Sequence, residues 1–186
     1  MLKIRWAPAL CLAAAATALP AQAQQSASAE RLHEVARRGT QVMPFDLQAT
    51  VHVFTKLEDG GVQRVVARDE ANATQVRLVR EHLRELHERF RQGDFSGPAH
   101  IHGEAMPGLA ALRQAPAGRL SVEYRDVPGG AELRYRAADA TLASAVHAWF
   151  DAQLSDHGPH AMAGHDHQSG PHDHPQGHGA QPPAAP

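Results

Sequence analysis

Apolar and polar residues alternate along two stretches of the chain, 47–69 and 119–137, and a Gly-Gly pair interrupts each of them. Strict alternation is typical of strands with one buried face, and glycine readily adopts the positive φ of a tight turn. The two stretches therefore predict two β-hairpins, which turn at Asp59-Gly60-Gly61 and at Pro128-Gly129-Gly130.

Two other stretches, 72–93 and 139–158, carry apolar residues three and four positions apart. This spacing predicts amphipathic helices, each of which follows a hairpin, begins at a capping residue (Asn72 or Asp139) and ends at a glycine. We predict an α+β fold in which two ββα units form a four-stranded antiparallel sheet with helices on one face. An internal duplication and a coincidence within a small α+β domain would both produce this order.

The first residues of the chain have the layout of a secretory signal peptide. Lys3 and Arg5 form a basic start, an apolar run follows, and Ala21-Gln22-Ala23 resembles a cleavage site. The apolar run is shorter than the ~20 residues of a membrane span. A lipoprotein is the alternative because Cys11 lies in this run, but Leu10 precedes it where lipoprotein processing needs a small residue. We therefore expect a soluble periplasmic protein.

The composition changes again after the second long helix. Residues 159–186 are rich in His, Gly, Pro and Ala and have no apolar periodicity, so we expect them to be disordered. Shorter helices are predicted from Ser28 to Gly39 and over 106–115. The predicted parts are a signal peptide (1–23), a linker or short helix (24–42), an α+β domain (43–158) and a His-rich tail (159–186).

Charge and cysteine content restrict the possible chemistry. Cys11 is the single cysteine, so the exported chain is expected to have no disulfide and no thiolate ligand. Of 18 basic side chains, Lys3 and Arg5 fall in the leader, which leaves 16 against 20 acidic ones. This charge balance does not favour a nucleic-acid partner. The sequence after the leader contains no second long apolar run, so it does not predict a membrane-spanning segment.

Histidine is concentrated near the C-terminus, where seven of the 14 histidines lie. Neutral imidazole is a common ligand for copper, zinc and nickel. The predicted tail ligands for one of these ions are His157, His160, His165, His167, His172, His174 and His178. A solubilising tail or an affinity tag with incidental histidines is the alternative.

A second candidate metal site is the stretch "AHIHGEAM" at 99–106. If this stretch is extended, His100 and His102 point to the same side, about 6–7 Å apart. Carboxylate would suit zinc and thioether would suit copper(I). The residues that could complete the site are Glu104, Met106 and His52.

His52 is included because Val51 and Val53 are expected to face the core, which would place His52 on the opposite side of the strand. The alternative is a structural loop, bounded by Gly97-Pro98 and Pro107-Gly108, whose histidines bond to nearby carbonyl groups. Besides His157, three histidines lie in the two long predicted helices. We expect His82 and His87 to be solvated and His147 to be half-buried.

Three stretches carry a resemblance to a protein family: "VMPFDLQATVHVFTKLEDGGVQRVVARD", "GDFSGPAHIHG…MPGL" and "WFDAQLSDHG". Together, over about residues 42–158, they resemble small exported proteobacterial proteins of uncharacterised function, some of which carry the automatic label aspartate carbamoyltransferase. Carbamoyltransferases have a Ser-Thr-Arg-Thr phosphate-binding segment and a chain near twice this length. This sequence lacks that segment.

These features predict a periplasmic transition-metal-binding protein, a buffer or carrier that exchanges copper, zinc or nickel with a periplasmic or membrane metal-handling protein. The first alternative is a non-catalytic interaction module with incidental histidines. A small metal-dependent hydrolase is less favoured, since the chain has no G-x-S-x-G, H-E-x-x-H or glycine-rich phosphate motif.

Overall fold

The computed structural model of the protein describes residues 27–165. The predicted signal peptide and four of the predicted tail ligands, His167, His172, His174 and His178, lie outside these residues. In chain order the elements are α1 (Ala29–Val42), β1 (Thr50–Leu57), β2 (Gly60–Ala67), α2 (Ala73–Arg91), α3 (Ser96–His102), α4 (Leu109–Arg113), β3 (Leu120–Val127), β4 (Gly130–Ala137), α5 (Ala140–His157), a 3-10 turn (Gly158–His160) and β5 (Ala161–Ala163).

The strands form one sheet in the order β3-β4-β2-β1-β5, so the predicted α+β class is confirmed. The sheet differs from the four-stranded antiparallel sheet of two ββα units that the sequence predicts. It is mixed and has a fifth strand, because Ala161–Ala163 pair in parallel with His52–Phe54 of β1. This pairing uses backbone groups that β1 would otherwise present at an open edge. The residues just after α5 therefore belong to the fold rather than to the predicted tail.

Both hairpins and both long helices form where the apolar pattern predicts them. Asn72 accepts a hydrogen bond from the backbone N–H of Gln75, and Asp139 accepts one from that of Leu142. Gly60 has a φ of 135°, and a Cβ there would lie 2.4 Å from the carbonyl oxygen of Tyr135. Glycine is therefore required at the first turn.

The core lies between one face of the sheet and helices α2 and α5. Tyr135 of β4 is at its centre, with its ring 5.5 Å from Trp149 and 5.6 Å from Phe150 of α5. Phe90 of α2 also packs against Trp149, with ring centroids 6.0 Å apart. The opposite face of the sheet opens to solvent as a broad groove lined by arginine and carboxylate side chains.

The side chains of β1 face the opposite way from the prediction. His52 and Phe54 are buried under the helices, whereas Val51 and Val53 are partly exposed on the open face. Phe54 packs against Phe150 at 5.1 Å between ring centroids, and its position sets the parity of the whole strand. His52 is consequently carried into the core.

The segment 24–42 was predicted to be a linker or a short helix, and Ala29–Val42 of it form helix α1. This helix packs against α3 and α5. Ser28 caps it as predicted, and Val35 of this helix is buried. The helix continues past Gly39 to Val42 because Gly39 is buried against Met43 and keeps helical geometry. Within residues 27–165, none of the helices has the length and apolar character to cross a membrane.

Candidate functional site

Four histidines from four different elements are buried in one region of the core. They are His52 of β1, His82 of α2, His102 of α3 and His157 of α5, and they are 3, 7, 5 and 6% exposed. All four line one cavity of about 30 Å³. We call the region around this cavity the histidine pocket.

His157 is the central ring of the histidine pocket. It stacks on His52, with ring centroids 4.5 Å apart and planes 11° apart. His102 approaches it edge-on at 5.1 Å. His82 lies at the margin, where its ring contacts Phe45 at 5.6 Å. His157 thus contacts both His52 and His102, and His82 stands to one side.

A buried carboxylate orients His102. The Nδ1 atom of His102 lies 2.9 Å from Oδ2 of Asp156. Arg31 of α1 donates to both oxygens of Asp156, at 2.9 and 2.5 Å, and also to the carbonyl oxygen of His102 at 2.7 Å. Because an ionised carboxylate only accepts hydrogen bonds, Nδ1 of His102 is assigned the proton. In the neutral ring the lone pair then lies on Nε2.

Burial controls the protonation of the other imidazoles. It lowers the pKa of His52 to about 3 and the pKa of His82 to about 4. It also lowers the pKa of His157 well below its usual range, with a further contribution from His52. These three rings are therefore neutral at neutral pH, which is the form in which imidazole binds metals.

Asp156 remains an anion despite its position. Burial alone would raise the pKa of Asp156, but the hydrogen bonds from His102 and Arg31 outweigh burial and lower it. Asp156 and Arg31 together form a neutral pair behind His102. The ring of His102 is consequently held in one orientation without adding net charge to the pocket.

Three polar atoms of side chains that line the cavity have no hydrogen-bond partner among residues 27–165. They are Nδ1 of His52, Nε1 of Trp149 and Nε2 of Gln153. Buried polar atoms are nearly always paired in folded proteins, so each such exception indicates a bound water or ligand, or a functional role.

The stretch that contains the predicted metal-binding pair, His100 and His102, is a helix and not an extended segment. Residues Ser96–His102 form α3, so His100 and His102 do not project to one side as they would from a strand. Asp94 supports the helix start by accepting a hydrogen bond from the backbone N–H of Ser96. His100 is exposed and bonds to Gln41 at 3.0 Å, whereas His102 enters the pocket.

The other predicted ligands of this site lie elsewhere. Glu104 is exposed and pairs with Arg113. Met106 is buried in the hydrophobic core and does not line the histidine pocket. Of the predicted tail ligands within residues 27–165, only His157 lines the pocket, while His160 is half-buried next to it and His165 is exposed.

The helical histidines were predicted with mixed success. His147 is half-buried as expected, with Nε2 2.9 Å from the carbonyl oxygens of Leu57 and Gly60. The expectation that His82 is solvated is wrong. A signal for its burial was present, since His82 lies three residues after Val79 and four before Leu86 on the apolar stripe of α2.

The side chains of the histidine pocket do not have the arrangement of a preformed metal-coordination site. Across the described part of the chain, no three His, Cys, Asp or Glu side chains already converge as ligands on one point. The stacked rings of His52 and His157 would need to rotate to share an ion with His102.

No protein-family model matches the chain, and comparisons with curated proteins and with solved structures found no significant similarity. The functional argument therefore depends on the chemistry of the histidine pocket.

Proposed function

We propose that the protein binds one transition-metal ion, copper, zinc or nickel, in the histidine pocket and acts in the periplasm as a buffer or carrier of that ion. The proposed ligands are His52, His102 and His157. The observation that carries this proposal is that these buried imidazoles line one cavity, two of them kept neutral by burial and one oriented by a carboxylate.

The contact between His102 and Asp156 is the arrangement found behind many metal-binding histidines. A metal-ligating histidine usually donates its second ring N–H to a carboxylate, which fixes the ring and raises its basicity. Here Asp156 accepts from Nδ1, and Arg31 holds the carboxylate with two hydrogen bonds. Nε2 of His102 is therefore the atom we assign to the metal.

The type of donor selects the class of metal. Imidazole nitrogen suits zinc, copper and nickel, whereas calcium and magnesium prefer oxygen ligands. Asp156 is bound by Arg31 and His102, so it is not free to supply oxygen ligation without losing those bonds. The pocket therefore favours a transition metal over calcium or magnesium.

The size of the cavity favours binding over catalysis on an organic substrate. At about 30 Å³ the cavity has room for one water molecule or one ion. Pockets for organic ligands usually have volumes of about 300 Å³ or more. A hydrolase site would also need access for its substrate, but His102 and His157 are buried.

The sequence supports the remaining parts of the proposal. The predicted signal peptide supports export, and the resemblance to exported proteins agrees with it. The histidines of the predicted tail would add weaker external sites that collect ions near the domain. A periplasmic or membrane metal-handling protein is the partner that a carrier would require.

The proposal is tested with the full chain in which the five histidines from His165 onward are changed to alanine, so that external sites do not mask the pocket. Cobalt(II), zinc and copper(I) are titrated, with the visible absorption of cobalt(II) as the report of nitrogen ligation. We expect one tight site per chain, and His102→Leu or His157→Leu should weaken it at least a hundredfold.

His100→Ala is the matched control because His100 lies on the same helix as His102 but is exposed. It should leave the affinity of the tight site unchanged. Absence of any tight site in the chain without tail histidines would refute the proposal for the domain and favour the interaction module. Equal loss in His100→Ala and His102→Leu would exclude the pocket as the site.

A further inference from the structure

The two edges of the sheet end differently. At one edge the backbone of β1 is paired with Ala161–Ala163 of β5. At the other edge lies β3 (Leu120–Val127), and no element within residues 27–165 pairs with its outer side. An open edge strand presents unpaired backbone N–H and C=O groups to other chains. Strand β3 is eight residues long, which is long enough to pair with a further strand.

Alternate residues of β3 carry the unpaired backbone groups. In an antiparallel pair of strands, hydrogen-bonded and non-hydrogen-bonded residue pairs alternate. Ala138, just beyond β4, donates its N–H to the carbonyl oxygen of Arg119 at 2.8 Å, so every second residue after Arg119 bonds to β4. The residues whose N–H and C=O groups point to the open edge are therefore Leu120, Val122, Tyr124 and Asp126.

Two opposite charges flank the middle of β3. Glu123 and Arg125 lie on either side of Tyr124 and face the groove of the open face, with side chains 61 and 71% exposed. Glu123 pairs with Arg136 of its own chain, and Arg125 pairs with Glu132. Because Glu123 and Arg125 remain largely exposed, each can accept a second partner of opposite charge.

We propose that two copies of the protein form a symmetric dimer by antiparallel pairing of their β3 strands, with the two-fold axis at Tyr124. This inference goes beyond the proposed function and does not depend on a metal ion. In this register Tyr124 is hydrogen-bonded to Tyr124 of the second copy, and Val122 is hydrogen-bonded to Asp126 of the second copy. The outward backbone groups are thereby used, and the two sheets become one continuous sheet.

Charge selects this register over its neighbours. Glu123 of each copy lies opposite Arg125 of the other, in the non-hydrogen-bonded pairs where side chains approach most closely. Opposite charges in such positions stabilise a strand pair, and like charges directly opposite destabilise it. Moving the axis by one residue, to Glu123 or to Arg125, places that side chain opposite its own copy. The charge pattern of β3 therefore complements a second β3 in one register and opposes it in the two adjacent registers.

The test measures the oligomeric state of the full chain by sedimentation equilibrium, with a chelator present so that metal ions cannot bridge histidines of two copies. We expect a reversible dimer, because one strand pair buries less surface than a standard stable interface. Glu123→Arg and Arg125→Glu should each weaken the dimer by about tenfold or more, since each variant sets two like-charged pairs across the axis. Glu58→Arg is the matched control. It makes the same change of charge as Glu123→Arg at an exposed position between β1 and β2, and it should leave the dissociation constant unchanged.

A mixture of the two charge variants separates the register from a loss of folding. One variant strand carries arginine on both sides of Tyr124, and the other carries a carboxylate on both sides. When these strands pair, opposite charges again face each other across the axis. The mixture should therefore form a heterodimer about as tightly as the parent forms its homodimer, although each variant alone is weakened.

A second readout leaves both charges unchanged. Tyr124→Cys in a Cys11→Ser chain places one thiol at the axis, where opposite Cα atoms would be ~5.5 Å apart, a separation that a disulfide can span. Asp126→Cys is the matched control on the same edge, since its two copies would be more than about 13 Å apart. Mild oxidation should cross-link the first variant and not the second.

Every outcome bears on the dimer. A chain that stays monomeric up to its highest soluble concentration overturns the proposal and leaves the edge of β3 for a different protein. A dimer that neither charge variant weakens uses another surface and overturns it as well. A mixture of the charge variants that stays monomeric, or equal cross-linking of Tyr124→Cys and Asp126→Cys, shows that the register is wrong. None of these measurements requires bound metal, so each result leaves the proposed function standing.

Discussion

The two faces of the sheet treat their polar side chains differently. On the helix-covered face His52 stacks on His157, and Nδ1 of His52 has no hydrogen-bond partner in the described residues. On the open face Arg64 and Arg125 both pair with Glu132. The same alternation along adjacent strands produces both arrangements. On the open face the exposed side chains of Arg64 and Arg125 cover the buried carboxylate of Glu132 and satisfy both of its oxygens. Polar groups of the histidine pocket are removed from water and are only partly satisfied, so they are the groups with capacity to bind something else.

The largest expected difference between the two faces is their response to acid. The unfolded chain protonates its histidines as pH falls through about 6.5, but folding lowers the pKa of His52 to about 3 and that of His82 to about 4. The pKa of His157 is lowered in the same direction. Because the folded pKa values are lower, their contribution to stability is fully present above pH 6.5 and is lost as pH falls.

We therefore expect the free energy of unfolding of the metal-free protein to fall steeply between pH 6 and pH 4. Each buried imidazole contributes a slope of about 1.4 kcal/mol per pH unit, so three give up to about 4 kcal/mol per pH unit. Urea unfolding at a series of pH values measures the slope. His52→Phe should reduce it by the share of one imidazole.

Val79→Ala is the control for this experiment because it removes buried apolar volume and no titrating group. It should lower stability at every pH while keeping the slope. If His52→Phe and Val79→Ala give the same slope, the imidazole of His52 is not responsible for the acid sensitivity.

The next comparison concerns one ion pair from each face. Arg31 holds Asp156 with two hydrogen bonds, and its removal would leave the buried carboxylate with His102 alone. We expect Arg31→Ala to cost about 2–3 kcal/mol, less than a fully buried pair would, because Arg31 is itself partly exposed. The midpoint of urea unfolding at pH 7 measures the loss.

Arg125→Ala is the matched change on the open face. The side chain of Arg125 is 71% exposed, and Glu132 keeps Arg64 when Arg125 is removed. The carboxylate of Glu132 is itself buried, with its side chain only 6% exposed, but it keeps two hydrogen bonds from Arg64, so the expected loss is about 1 kcal/mol and smaller than for Arg31→Ala. Equal losses of unfolding free energy for Arg31→Ala and Arg125→Ala would show that the ion pairs of the two faces do not differ in how much they stabilise the fold.

Local patterns in the sequence predicted the regular parts of this fold. Two hairpins and two long helices formed where alternation and helical spacing indicated them. Strand β5 was missed because three residues without a repeating pattern carry no periodic signal, and their conformation depends on the edge of β1. Helix α3 was missed because it is short and contains Gly97 and Pro98, which usually indicate a turn.

The histidine pocket was only partly predictable. His52, His102 and His157 were candidates on residue type alone, but their meeting around one cavity depends on packing between β1, α3 and α5. Adjacent histidines in the sequence were a poor guide, since His100 and His102 separate in the structure. The parity of β1 was misjudged because Val51 and Phe54 both fit a buried face, and only contact with Phe150 decides between them.

The smallest expected effects come from two glycines, one on each side of the comparison. Gly164 lies beside the open face, where a Cβ would meet Oγ1 of Thr55 at 2.0 Å and Cγ1 of Val53 at 3.0 Å. Gly97 lies within α3, where a Cβ would find only Cγ1 of Val42 at an ordinary 3.7 Å. Gly164→Ala should therefore lower stability by about 1 kcal/mol, and Gly97→Ala should raise it by about 0.5–1 kcal/mol because alanine restricts the unfolded chain and favours helix. Urea unfolding of both variants at pH 7 tests the two signs. If Gly97→Ala also weakens cobalt(II) binding, α3 must move when the histidine pocket takes up metal, whereas unchanged binding means that His102 is already placed to receive it.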